Sequence, residues 1–185
     1  EGLAINGTKK VVEYLKKRKE KIDFCIVGEP TNPNKLGEMI KIGRRGSISG
    51  TIIISGSQGH VAYPHLSNNP INTLVKICKK LNEQKLDKGN KNFQPSNLEF
   101  TSINVDNKAT NVIPAAAKAQ FNIRFNNFHT SNSLKKKINS VVKNLSKKNK
   151  CKFKIDFHVS GESFLTKPNK TIYMAKNIIK KITKI

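Results

Sequence analysis

Acidic side chains are scarce in this chain of 185 residues: 12 Asp and Glu stand against 35 Lys and Arg, a formal charge of +23. Such an imbalance raises nucleic acid and membrane surfaces as partners. A base-stacking platform needs aromatic rings interleaved with the cations, and those are missing too. The lysines gather on helix faces and helix ends (Lys16, Lys17, Lys19, Lys135, Lys136, Lys137, Lys147, Lys148, Lys150). A solvated basic surface is the favoured reading, with no nucleic-acid partner expected.

Other absences narrow the class further. Cys25, Cys78 and Cys151 are far apart and form no CxxC pair, which excludes a zinc finger and a disulfide framework and predicts a reducing, cytoplasmic setting. No apolar run is long enough to span a bilayer and no signal-peptide pattern is present, so no membrane partner is expected. HExxH, P-loop, GxGxxG and GxSxG patterns are all missing. The chain opens on Glu1 and not on Met, which predicts a piece of a longer protein.

What is present is periodic. Residues 8–19 place Val11, Val12 and Leu15 on one helical stripe. A continuous apolar run, Phe24 to Val27, then predicts a strand buried on both faces, ending at Gly28-Glu29-Pro30. From residue 46 onward, strict alternation takes over in SISGTIIIS, AAAKAQFNIRFN and KFKIDFHV, the mark of strands with one buried face and one wet face. SNLEFTSINV is a fourth strand whose pattern slips between Phe100 and Ile103, the signature of a bulge.

Two helices separate these strands. Asn69-Pro70 reads as an N-cap followed by proline in the first helical position, with Ile71, Leu74, Val75, Cys78 and Leu81 as the stripe. Thr130 or Ser131 starts the second, with Leu134, Ile138, Val141, Val142 and Leu145 facing inward. The order over 46–160 is β-α-β-β-α-β, a ferredoxin-like α+β unit with two helices on one face of an antiparallel sheet. Residues 1–45 and 161–185 read as incomplete ends of a larger α/β domain, and a last helix begins near 169.

Few residues stand out as chemical groups. Glu29, at a strand end and stiffened by Pro30, is either a turn cap or a hard ligand for a divalent metal. Arginine occurs only at positions 18, 44, 45 and 124. In a lysine-rich chain, Arg44, Arg45 and Arg124 therefore mark either surface ion pairs or places where a planar fork meets a carboxylate. His60 follows Gly56-Ser57-Gln58-Gly59, where backbone can approach a ligand closely. A turn-pinning role is the plain alternative, and it suits His65 better. Neither His129, at a helix start, nor His158, on a wet strand face, is assigned a site.

Five stretches in order, CIVGEPT, KIGRRGSISG, GHVAYPHLSNNP, TNVIP and FNIRF, resemble the dinuclear zinc aminoacylase and carboxypeptidase superfamily. GRRGS with GHVAYPH and NP is most similar to the branch that hydrolyses N-succinyl-LL-2,6-diaminopimelate to succinate and LL-diaminopimelate. The resemblance implies a zinc-peptidase α/β domain with an inserted lid domain through which the protein forms a homodimer, two Zn2+ ions (Co2+ being able to serve), and a small-molecule substrate. It implies that Glu1 and Glu29 are metal ligands. His60 would donate to the oxyanion in the partner subunit's site. Arg44, Ser47, Tyr63, Asn111 and Arg124 would hold the substrate. The remaining metal ligands and the general base would lie outside residues 1–185, so the chain alone is expected to be inactive. Acetylornithine deacetylases and metallo-carboxypeptidases are the nearest alternative activities; from another class, a basic RNA-binding module on the ferredoxin-like sheet is the rival.

Overall fold

Strand alternation and helix caps position the whole core. The computed structural model describes residues 7–29 and 31–184, in two compact units: Lys41–Ile178, and the segments Glu1–Ile40 with Ile179–Ile185. In chain order the elements are α1 (Thr8–Lys17), β1 (Gly43–Arg44), β2 (Gly46–Ser55), β3 (Gly59–His60), a 3-10 turn (Pro64–Leu66), α2 (Pro70–Asn82), β4 (Asn97–Asn104), β5 (Val112–Ile113), β6 (Ala116–Phe125), α3 (Ser131–Lys148), β7 (Lys152–Gly161), β8 (Phe164–Leu165) and α4 (Lys170–Thr183).

Within the larger unit the four long strands form one sheet in the order β4-β6-β2-β7, every neighbouring pair antiparallel. With α2 and α3 between them in sequence, this is the ferredoxin-like arrangement expected from the patterning. Ile48, Ile52 and Ile54 of β2 and Ala117, Ala119, Phe121, Ile123 and Phe125 of β6 point to one face and are all but fully buried. Leu74, Ile77 and Leu81 of α2 and Leu134, Ile138 and Val142 of α3 close over them in a single cluster. The register of β4 on β6 shifts between Phe100 and Ser102, where the pattern slips. Two short ribbons, β3 with β5 and β1 with β8, extend from this body.

The caps also follow the sequence. Asn69 accepts from Ile71 N–H at 2.9 Å, with Pro70 in the first turn. Thr130 and Ser133 form a reciprocal capping box at the start of α3, satisfying donors a helix end leaves free.

Three expectations need correction. The run Phe24–Val27 is not a strand: residues 18–29 adopt no regular element, and Phe24, Ile26 and Val27 are exposed. A strand buried on both faces needs partners at both edges, and no described segment pairs with this one. In α2 the buried side is Thr73, Leu74, Ile77 and Leu81, while Val75 is 56% exposed. Thr73 is buried because its hydroxyl bonds Asn69 O at 3.3 Å and lies 3.4 Å from Cys151 Sγ, which removes the cost of hiding it. In α1 the stripe exists, but Val11 and Val12 are exposed.

Candidate functional site

The segment from Gly56 to Pro70 is folded as a tight double turn at one end of the large sheet. His60 lies on β3, paired with Val112 of β5, and Gly59 pairs with Ile113. Val61 N–H donates to Asn111 O at 3.1 Å, so Asn111 sits beside His60 across the ribbon. Tyr63 N–H returns to His60 O at 2.9 Å, and Ala62 N–H donates to His60 Nδ1 at 3.1 Å. The His60 and Tyr63 rings are 6.0 Å apart, and His65 meets Tyr63 edge-on at 6.4 Å. A Cβ on Gly59 would approach Ser67 Cβ to 2.8 Å, so only glycine lets the ribbon lie this close to the turn. The sequence thus brings His60, Tyr63 and Asn111 together; His60 and Tyr63 are exposed, and His65 belongs to the turn.

Arg44, Ser47 and Arg124 converge at the opposite end of the sheet. Ser47, largely buried, is directly paired with Arg124 on one side and with Gly161 on the other. Arg44, on β1 opposite Phe164, lays its guanidinium against Gly161, where any Cβ would collide with it. Neither Arg44 nor Arg124 makes an ion pair among the described residues. Asn122 donates to Ser49 Oγ at 2.9 Å and to Ser47 Oγ at 3.3 Å, which leaves the Ser47 hydroxyl proton free to point outward. Two guanidinium groups without an ion-pair partner, beside a hydroxyl whose proton is unused, form a donor-rich cluster, the chemistry that takes a carboxylate. Arg45 is different: it bonds Pro95 O and Asn97 Oδ1, both at 3.2 Å, and ties β4 to the chain before β2.

These two groups stand at opposite ends of β2. At about 3.3 Å per residue the span from Ser47 to Ser55 is roughly 26 Å, and His60 lies beyond Ser55. Between them the uncovered sheet face carries Ser49, Thr51, Lys118, Gln120 and Asn122, with no aromatic ring from β2 or β6. That face lacks the stacking surface of an RNA-binding sheet.

The metal-ligand expectations fare differently. Glu1 lies outside the described residues. Glu29 is exposed at the end of an irregular segment, not at the tip of a buried strand. Among the described residues no three His, Cys, Asp or Glu side chains gather as a metal would need. The described residues therefore do not by themselves fit a metal centre.

Sequence patterning passes over one polar knot. Asp87 receives Gly89 N–H at 2.6 Å, Asn126 Nδ2 at 2.7 Å and Ser96 N–H at 3.2 Å. Burial pushes its carboxyl up, but hydrogen bonds from Ser96, Gly89 and Asn126 outweigh this and bring it down to about 2. His129 Nε2 lies 3.2 Å from Asp87 Oδ2 without the alignment of a hydrogen bond. The fully buried Asn126 also donates to Gln94 O and accepts from Phe128 N–H. The knot pins the end of β6, two residues beyond Arg124. Its members are distant in sequence, and the only local signal is a cluster of Asn, Asp and Gly turn formers.

A family model for a peptidase dimerisation domain of the M20 type matches residues 42–150. The chain belongs to that family. It is 66% identical over its whole length to a succinyl-diaminopimelate desuccinylase of Pelagibacter ubique, covering 48% of that protein. With the succinyl-diaminopimelate desuccinylase of Parvibaculum lavamentivorans it shares 48% identity, covering 47% of that relative. The chain thus spans about half the length of the curated relatives it matches. Solved structures share the fold at low identity. They include aminopeptidase PepT from Bacillus cereus (TM-score 0.67, 15% identical, 82% of this chain and 39% of that one) and a tripeptidase from Staphylococcus aureus (TM-score 0.65, 14% identical, 78% and 37%). The matched residues include His60, the donor cluster's Arg44, Ser47 and Arg124, and most of the sheet. No helix among the described residues is long and apolar enough to cross a membrane.

Proposed function

We propose that this chain is the central part of a metal-dependent amide hydrolase that cleaves N-succinyl-LL-2,6-diaminopimelate to succinate and LL-diaminopimelate. On this reading residues 46–160 form its lid and dimerisation domain, and residues 1–45 and 161–185 belong to the catalytic domain. The reading implies two zinc ions, replaceable by cobalt, which would supply Lewis acidity and an activated water when bound. Glu1 and Glu29 would hold them together with residues beyond this chain, and the protein works in the cytoplasm.

The observation that carries the proposal is the separation of the donor-rich cluster from His60. The substrate is anionic at both ends, and Arg44, Arg124 and Ser47 offer paired donors for a carboxylate. His60 Nε2–H suits the oxygen that becomes negative when the amide carbon turns tetrahedral. Tyr63 and Asn111 flank that donor and contact the amide region. No small ligand spans roughly 26 Å of sheet, so both groups serve one substrate only if they come from different protomers. A homodimer built through this domain satisfies that requirement, its two-fold axis making each protomer a donor to the other's site.

The test is a substrate comparison with the full-length, metal-loaded protein. Succinate release from N-succinyl-LL-2,6-diaminopimelate should exceed acetate release from acetylornithine at equal concentrations. The reverse preference would assign the protein to the deacetylase branch instead.

A further inference from the structure

The nitrogen of His60 that carries the proton is decided by its backbone neighbour. Ala62 N–H donates to His60 Nδ1 at 3.1 Å. A backbone N–H can only donate, so Nδ1 must offer its lone pair, and in the neutral ring the proton then resides on Nε2. The donor is itself held on both sides. Val61 N–H is bonded to Asn111 O and Tyr63 N–H to His60 O, and β3 is paired with β5. The peptide between Val61 and Ala62 therefore has little freedom to turn its N–H away from the ring.

We propose that the Ala62 backbone N–H is a positioning group that locks neutral His60 as the Nε2–H tautomer. The functional meaning rests on His60 serving as an oxyanion donor. A developing negative charge needs an N–H, and the opposite tautomer would aim a lone pair at it. The same lock disfavours two other uses of an exposed histidine. A metal ion or a general base working through Nε2 needs the lone pair that the lock replaces with a proton. The stretch GHVAYPH thus encodes a donor and not a ligand, through a main-chain contact that side-chain patterning leaves invisible.

Two-bond proton–nitrogen correlation spectra of the chain with isotope-labelled histidine test this directly, in alkaline buffer where the ring is neutral. Comparison with His60→Gln assigns the signals. Nδ1 of His60 should resonate as an unprotonated nitrogen and Nε2 as a protonated one. Ala62→Pro removes the N–H and should shift the tautomer ratio toward Nδ1–H by about 2- to 10-fold, the worth of one net hydrogen bond. Ala62→Gly keeps the N–H and should leave the ratio unchanged. A protonated Nδ1 in the parent chain, or Ala62→Pro spectra matching the parent's, overturns the proposal. Should Ala62→Pro fail to fold, a protonated Nδ1 in the parent spectrum would still overturn the proposal. Turnover of the full-length His60→Ala variant reads the oxyanion role separately: full activity there would end the catalytic reading while the spectra still report the tautomer.

Discussion

Ser47 on β2 stands directly opposite Arg124 on β6, and Asn122 donates to the serine oxygen from the same face. One of the serine's two lone pairs is thereby occupied, and its proton is left free between the strands that carry Arg124 and Gly161, where Arg44 lies. Arg124→Ala in the full-length protein should raise KM for the succinylated substrate by roughly 10- to 100-fold, the loss of one charge-assisted hydrogen bond. Arg124→Lys should recover only part, because an ammonium lacks the planar fork. A variant with unchanged KM would remove Arg124 from the substrate site.

His60→Ala should lower turnover by ~10²–10³-fold, the typical loss for one oxyanion donor, with bound metal unchanged. Elemental analysis of the purified variant checks the second half. Loss of metal would make His60 a ligand.

Mixed dimers test whether the two ends of β2 serve different protomers' sites. A hybrid of one His60→Ala and one Arg124→Ala protomer keeps one intact composite site. At substrate well below the parent's KM both variants are nearly inactive, and random mixing should therefore restore about a quarter of the wild-type rate. Mixtures no more active than their components would place both groups in one protomer's site.

Acid stability should report the Asp87 knot. The folded carboxyl titrates at about 2 against an ordinary 3.8. The unfolded chain thus binds more protons in that window, so the stabilisation is complete above the ordinary value and is lost as pH falls through about 2. Asp87→Ala should cost about 1–3 kcal/mol at neutral pH, the penalty for orphaned buried donors, and should flatten this part of the acid limb. Urea titrations at neutral pH and at about pH 3 measure both; equal acid loss in variant and parent would contradict the assignment.

Thiol chemistry should separate the three cysteines. Cys25 is exposed, Cys78 half-buried and Cys151 buried, and burial pushes the Cys78 thiol up to about 11. Because the thiolate is the reacting form, the native chain should show one fast thiol, and mass spectrometry should locate it at Cys25. Fast labelling of Cys78 would mean that α2 opens readily.

The order of strands and helices was legible because alternation and caps are local: the Ile48, Ile52, Ile54 face, the Asn69-Pro70 start and the Phe100–Ile103 slip all have short-range causes. Phe24–Val27 misled because an apolar run states only that burial is wanted, while its partner must come from elsewhere. On α2 the stripe is displaced toward Thr73 and Ile77 because a threonine whose hydroxyl is satisfied by Asn69 and Cys151 looks polar in sequence. At the site, GHVAYPH and the rare arginines were visible as residue types. Their grouping into His60 with Asn111, and Ser47 with Arg124, depends on register, which no local pattern carries.

The strand order has a kinetic consequence. Both central strands of the sheet pair with partners remote in the chain, Ser47 with Arg124 and Ile54 with Phe153. Loop closure must be paid before such contacts return any stability, which makes this a slow-folding topology. α2 and the β4–β6 hairpin have shorter loops to close and can organise first, but Arg44, Ser47 and Arg124 meet only when β2 docks between β6 and β7. On the proposed reading the carboxylate site is therefore complete only after β2 has docked, and a nascent chain that has not yet emitted β7 presents an open β2 edge to any neighbouring chain.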